Sequence, residues 1–326
     1  MIKIAIIGSG ISGLALACRL KKEYSLTIFE KSRRVSGRLA TKKIENYYFD
    51  HGAQYFTAKN KDFIDFLKPL IEDEIIKQWD ARFSEFIGSN PIRSVKWNKN
   101  YPHYVGVPNM NSIGKYIARN FEIRLNTKVN KVIFNHKSKH WNIIDEKNII
   151  HGQFDWVVFT QPPQQTLSII PNDFKFLSKL KKKEMLPCYS LMLGFKEKLI
   201  LDYDAAVIRE ADISWVSVNS SKPSKNEGFS LVIHSTNKWA KDNIERNNQE
   251  VLDYLFKETS KIMNRDLSKT TVRQIHKWRF ANIVQQSKIE PFVDYDMKIA
   301  VCGDWCNQGR VEAGFLSGFN LANSLN

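Results

Sequence analysis

The chain is predicted to be an α/β protein organised around a parallel sheet, and three stretches carry the prediction. Residues 2–7 are an apolar run broken only by Lys3, the pattern of a strand covered on both faces. Gly8-Ser9-Gly10-Ile11-Ser12-Gly13 follows at once, a G-x-G-x-x-G turn opening a helix predicted over 12–22. A second strand, 25–29, ends on Glu30, seventeen residues past Gly13. Strand, glycine turn, helix, strand and acid in that order predict a Rossmann-type dinucleotide site. Gly8 permits the tight turn, Gly10 admits a pyrophosphate to the backbone, and Gly13 lets the helix pack close to the strand. The N–H groups of Ile11, Ser12 and Gly13 begin the helix and offer partial positive charge to phosphates. Glu30 stands where a carboxylate meets ribose hydroxyls. The motif alone leaves FAD and NAD(P) both open.

The length of 326 residues allows a sizeable core and predicts two domains. Hydrophobic residues at 43% are those of a globular chain and argue against disorder. Lys and Arg number 49 against 34 Asp and Glu, a formal net charge of +15, which favours anionic ligands. The basic residues are scattered and fall in no nucleic-acid motif, so no nucleic-acid partner is expected. Cys18, Cys188, Cys302 and Cys306 are few and unpatterned, which points to a reducing compartment and to no metal site. The uncharged run 4–18 is fifteen residues long, short of the about 20 that span a bilayer. A cytoplasmic protein without a membrane partner is expected, as a monomer or weak dimer.

After Glu30 comes a basic loop, Lys31-Ser32-Arg33-Arg34-Val35-Ser36-Gly37-Arg38. An NAD dehydrogenase would enter a helix here. The Gly37-Arg38 pair instead resembles the loop of the two-dinucleotide-binding-motif flavoproteins, the amine oxidase group, and within it the renalase-like oxidoreductases. The group's Gly-Gly-Arg appears here as Ser36-Gly37-Arg38. The resemblance implies that Arg38 reaches the FAD pyrophosphate and that Lys31 lies beside it. Phe49-Asp50-His51-Gly52-Ala53-Gln54-Tyr55 resembles the segment that runs beside the isoalloxazine ring, with Gly52, Ala53 and Gln54 as cofactor contacts and Tyr55 facing substrate. A structural role is expected for His51. Val129 stands where relatives hold the adenine, and Thr160 closes the strand predicted over 154–160.

Helices are predicted over 61–71 and 248–263, strands over 123–129, 131–134, 190–195, 213–218 and 229–234. Trp278-Arg279 lies in a segment similar to the renalase-like Trp-Arg-aromatic-Ala, which implies a wall for the flavin pocket and a contact for an anionic substrate. Gly303-Asp304, then Glu312-Ala313-Gly314, resemble the closing flavin motif, a Gly-Asp followed by a helix whose N-terminus faces the flavin. Gly314, Gly318 and Ala322 recur every four residues, a smooth face expected to pack against the sheet.

The resemblance implies a Rossmann-like FAD-binding domain, discontinuous over 1–60, 101–165 and 282–326. An α+β substrate domain on a mixed sheet is interleaved over 61–100 and 166–281. It also implies non-covalent FAD and oxidation of isomeric dihydronicotinamides, the 2- and 6-dihydro forms of NAD(P)H, with O2 as acceptor. Tyr55, Trp278 and Arg279 are the expected substrate-side residues. A flavin amine oxidase is the alternative.

Overall fold

The computed structural model describes residues 1–225, 228–284, 290–307 and 309–326, in two compact units. The first comprises Met1–Leu39, Gly114–Met185 and Ile283–Asn326. Among its described residues is a six-stranded sheet. Its strand order is Phe292–Asp294, Ile299–Val301, Trp156–Phe159, Ile2–Ile7, Tyr24–Phe29, Glu122–Arg124. Neighbours run parallel except for the first pair, and Ile4 sits opposite both Trp156 and Leu26. Ile4, Ile6, Ile7, Val157, Val158 and Phe159 are all but sealed from solvent, so both faces of these strands are covered, as the apolar runs require. Each such side chain contributes about 1.5–3 kcal/mol on burial.

The motif helix is Ile11–Arg19 and the C-terminal helix Val311–Leu325. The expected smooth face is real, but it meets the motif helix rather than the sheet. A Cβ on Gly314 would come within 2.6 Å of Ile11 Cγ2, and one on Gly318 would fall on the Ser12 carbonyl. A helix backbone can approach another this closely only through glycine.

The predicted strand 123–129 is divided. Glu122–Arg124 joins the main sheet, residues 125–128 turn with Asn126 at φ 52°, and Val129–Asn135 begins a three-stranded antiparallel sheet. Asp155 likewise separates Ile150–Phe154 from Trp156–Phe159, its carboxylate accepting from Lys3 N at 2.8 Å.

The second unit comprises Ala40–Ile113 and Leu186–Asn282. A mixed seven-stranded sheet runs Thr270–Ile283, Met185–Phe195, Phe229–Ser235, Ile213–Val218, Ala205–Arg209, Arg82–Ile87, Asn90–Lys96 among the described residues. Ala205–Arg209 and Arg82–Ile87 pair in parallel, and the pairs on either side are antiparallel. The amphipathic helix Asn248–Met263 lays Val251, Leu252, Leu255 and Ile262 into the core formed by Leu191, Leu193, Val216 and Ile233.

The units divide the chain at other points than the sequence pattern suggests. Residues 40–60 and 101–113 belong to the second unit, where Tyr47 and Phe49 pack with Met192, Val232 and Val272. Residues 166–185 belong to the first, where Lys175 N donates to Asp294 and Phe176 stacks on Phe292 at 5.3 Å. Among the described residues no helix is long and apolar enough to cross a membrane.

Candidate functional site

The first unit builds a cradle from three loops. Gly8 has φ 113°, a left-handed conformation only glycine adopts freely, and Thr160 Oγ1 lies 2.7 Å from where its Cβ would be. Thr160 Oγ1 is within hydrogen-bonding reach of the Ile7 and Gly8 carbonyls, at 3.1 and 2.9 Å, and so fastens the turn to the neighbouring strand. Gly13 abuts the Gly8 carbonyl. Gly10 is the opposite case: a Cβ there would meet nothing within 4 Å. The turn is thus packed behind and open in front. Gly10 caps the motif helix without a side-chain hydrogen bond, and the first turn carries no acid. The helix therefore presents unneutralised N–H groups and its positive end to that open space.

Glu30 is buried and spans two loops. Its Oε2 accepts from Ser9 N at 3.1 Å and Ser9 Oγ at 2.7 Å, and its Oε1 from Ser32 N at 2.8 Å. An ionised carboxylate has about four acceptor positions, so one remains for a ribose hydroxyl. Lys31 beside it is exposed, and Val129 is buried opposite Asp145. Gly37, at φ 54°, brings its Cβ direction within 3.2 Å of Gly10 Cα, and Ser36 N donates to Ser9 O at 3.1 Å. The Gly-Arg loop thus lies over the glycine turn.

Arg38 then closes the cradle in a way no local pattern announces. Its guanidinium forks onto the Asp304 carboxylate, 2.9 Å to Oδ2 and 2.5 Å to Oδ1, joining residues 266 positions apart. Gly303 N donates to Ser317 Oγ at 3.0 Å, and Glu312 and Ala313 form the first turn of the C-terminal helix. The Cys306 thiol is buried and its pKa pushed up to about 12, so it is no nucleophile for a covalent flavin.

These features fit the adenosine and pyrophosphate portion of a dinucleotide such as FAD. The open face at Gly10, the uncapped helix end, the Glu30 carboxylate and the Arg38 guanidinium are what a ribose and a pyrophosphate require.

In the second unit, residues 51–56 follow the hairpin Thr41–Ile44 and Tyr47–Asp50. Gly52 and Ala53 are half-buried, and Gln54 is buried. Gln54 Nε2 donates to the carbonyls of Asp50 at 2.5 Å and Gly52 at 3.1 Å, and its Oε1 accepts from Ser217 Oγ at 2.8 Å. Tyr55 sits among Trp97, His103 and Trp215, with ring centroids at 4.9, 5.0 and 5.6 Å. Trp278 stacks on His51 at 5.3 Å and donates from Nε1 to the His51 carbonyl at 2.9 Å. His276 touches both rings.

Arg279 is not brought to this cluster. Successive strand side chains alternate faces, so Arg279 points away from Trp278 and pairs at 3.2 Å with exposed Glu245. Burial lowers the pKa of three histidines of this unit. Burial, then His276, pushes the His51 pKa to about 3; burial, then Lys42, pushes that of His276 to about 4; burial, then Lys222, pushes that of His234 to about 4.

Asp50, Lys222 and Lys225 form a buried group that the sequence does not signal. Asp50 is fully buried, and Thr41 Oγ1 and Met110 N donate to it at 2.6 and 3.0 Å. Lys222 and Lys225 approach it at 3.4 and 3.2 Å. Both lysines lie just past a one-turn helix, Asn219–Ser221, in a Lys-rich chain where neither stands out.

Residues 6–70 match the family model of the NAD(P)-binding Rossmann-like domain. Renalase of Mus musculus is 20% identical over 312 residues, 89% of this chain and 88% of that protein. Among solved structures, a protein assigned as a protoporphyrinogen oxidase from Exiguobacterium sp. 255-15 superposes with a TM-score of 0.78 at 12% identity, over 99% of this chain and 98% of that one. A putrescine oxidase variant redesigned in cofactor binding superposes with a TM-score of 0.73 at 11% identity, over 99% of each chain. The solved structures share the Rossmann-like fold over nearly the whole chain. Together the comparisons show a chain similar to renalase over most of its length and similar in fold to solved oxidases.

Proposed function

We propose that the chain is an oxidase of isomeric dihydronicotinamides, converting the 2- or 6-dihydro forms of NAD(P)H to NAD(P)+. The substrate hydride and a solvent proton end on O2 as hydrogen peroxide. FAD, when bound without a covalent link, supplies the hydride acceptor. The substrate class is what the resemblance to renalase-like oxidoreductases implies, and similarity to renalase over 89% of the chain supports the reading. The observation that carries the reading is the ring cluster at Trp278, which stacks on His51 at 5.3 Å and touches His276, an aromatic surface suited to holding a nicotinamide ring. With pKa values of about 3 for His51 and about 4 for His276, neither is matched to proton transfer near neutral pH. A dihydronicotinamide carries a transferable hydride already, and its oxidation leaves an aromatic cation, so no base is required.

What remains for the protein is positioning. Gly8, Gly10, Ile11, Ser12, Gly13, Glu30, Lys31, Gly37, Arg38, Val129 and Thr160 are assigned to the adenosine and pyrophosphate. Gly303, Asp304, Glu312, Ala313 and the Gly52–Ala53–Gln54 segment are assigned to the remaining half. Tyr55 and Trp278 offer aromatic faces for the substrate ring. Arg279 is on the opposite face of its strand, so attraction of an anionic substrate falls to the net charge of +15.

Anaerobic mixing of the flavin-loaded protein with the 2- and 6-dihydro isomers, ordinary 4-dihydro NADH and a panel of amines tests the proposal. Rapid bleaching of the flavin band by the 2- and 6-dihydro isomers is expected. Bleaching by amines alone would overturn it in favour of an amine oxidase.

A further inference from the structure

The side-chain amide of Gln54 is the centre of the second unit's polar interior, and its orientation needs an explanation. Two main-chain carbonyls, Asp50 O and Gly52 O, accept from Nε2, and His234 Nε2 is its third neighbour at 3.4 Å. The two carbonyls set which way the amide faces, since the flipped amide would put an oxygen against two carbonyl oxygens, and they leave Oε1 to be held by donors of its own. Ser217 Oγ lies 2.8 Å from Oε1, but it has one proton and also lies 3.3 Å from Val232 O. The other donor is Lys222 Nζ at 3.4 Å, which carries three protons and accepts nothing while charged.

Lys222 is itself 2% exposed. Charged, titratable and aromatic groups of several elements face its ammonium. Asp50 stands at 3.4 Å, Lys225 follows on the same turn, His234 lies on the strand Phe229–Ser235, and Trp79 presents its ring face at 5.5 Å. We propose that Lys222 is a positioning residue whose ammonium locks the Gln54 amide and, through it, the main chain of residues 50–54. The link to FAD rests on the assignment of that segment to the cofactor; the lock itself does not.

The device is sensitive to pH. Burial is the main cause that lowers the Lys222 pKa to about 8, with Asp50 opposing and Lys225 adding to it. Above that pH the amine still donates, but without charge assistance, and the bond to Gln54 falls to roughly half its strength. A purely structural lysine behaves in the opposite sense. Its folded pKa lies below the unfolded value of about 10.4, so global stability rises between pH about 8 and 10.4 as the buried charge is relieved. Local loosening of Gln54 while the fold as a whole firms up is therefore the mark of positioning.

The test follows the Gln54 side-chain amide by NMR in protein labelled with 15N-glutamine, assigned through Gln54→Glu. The wild-type resonance is expected to shift with a midpoint near pH 8 and to stay flat from pH 6.5 to 9.5 in Lys222→Arg and Lys222→Met. In Lys222→Arg the pH 7 position is retained; in Lys222→Met it resembles the wild-type position at high pH. A wild-type Gln54 resonance that does not titrate overturns the proposal without any variant, as does the same titration in a folded variant. The visible spectrum of bound flavin is expected to follow the same midpoint. A colourless protein whose Gln54 amide titrates as described supports the lock and refutes the FAD reading instead.

Discussion

Substituting Gly10 by Ala separates the fold from cofactor binding. Gly10 has φ −72° and ψ 176°, extended backbone that alanine adopts without strain. Its added methyl would meet no protein atom within 4 Å. The substitution therefore costs the apo protein nothing in packing, and the smaller entropy of the unfolded chain favours the folded state by about 0.4–1 kcal/mol. The space the methyl fills is where the pyrophosphate is assigned, at the uncapped end of the motif helix. Displacing a phosphate oxygen from one or two N–H donors forfeits charge-assisted bonds of about 1.5–3 kcal/mol each. One lost bond is about a tenfold to hundredfold loss in FAD affinity, at 1.4 kcal/mol per decade. The assay pairs chemical denaturation of the apo protein with fluorescence titration of FAD. The expected outcome is unchanged or slightly raised stability with weakened binding. Gly10→Ala that binds FAD as wild type would show that no phosphate runs past this turn.

Gly318→Ala makes the complementary case. Its methyl collides with the Ser12 carbonyl at the helix crossing, and two backbones cannot yield cheaply, so thermal unfolding should reveal a loss of about 1–3 kcal/mol even without cofactor. Arg38→Lys keeps the charge but not the fork onto both Asp304 oxygens; flavin retention on dilution is expected to fall about tenfold or more, as with Arg38→Ala, because a point charge does not replace the planar pair. Acid should destabilise the second unit before its carboxylates titrate. His51, His276 and His234 have folded pKa values below the ordinary 6.5, so their contribution is complete above pH 6.5, declines from there as the unfolded chain takes up protons, and is gone once pH has fallen through about 4 and about 3. For His51 the whole shift amounts to about 5 kcal/mol at 1.36 kcal/mol per unit, of which about 2 kcal/mol should be lost by pH 5 and about 3 kcal/mol by pH 4, measurable as urea unfolding at pH 7, 5 and 4; His51→Asn should flatten the profile.

The two ends of the chain were legible because their information is local. The strand Ile2–Ile7, the glycine turn and Glu30 encode one supersecondary unit by residue type and spacing, and the structure places them as the pattern implies. Helix Asn248–Met263 was equally readable, since its apolar stripe is a property of one element. Pairings between distant segments were not. Nothing in Arg38 says that its partner is Asp304 rather than a phosphate, and nothing in the glycine repeat of the last helix says whether a sheet or a helix lies beneath it. The hairpin 41–50 shows the same limit, because no local pattern says which unit's core receives Tyr47 and Phe49. Lys222 was invisible for a sharper reason. Burial alone distinguishes it from the surface lysines of a basic chain, and burial is a property of the finished fold.

The arrangement of the cradle also has a kinetic consequence. Its open face is formed by residues 8–13, but Asp304 and the glycines at 314 and 318 hold it in place from the other end of the chain. The motif helix has nine residues, fewer than a helix needs to be stable alone in water. Its persistence depends on packing against Val311–Leu325, and that contact closes a loop of nearly the whole chain. The loop-closure cost grows only as the logarithm of length, so the contact is affordable in stability, yet it orders late because it is among the most non-local in the molecule. A ligand that bridges the glycine turn and the Arg38–Asp304 pair favours the closed form by its differential affinity for it. Cofactor binding and completion of the first unit are on this account one equilibrium, which is why Gly10 and Gly318, the one open to space and the other sealed in the helix crossing, report on its two halves separately.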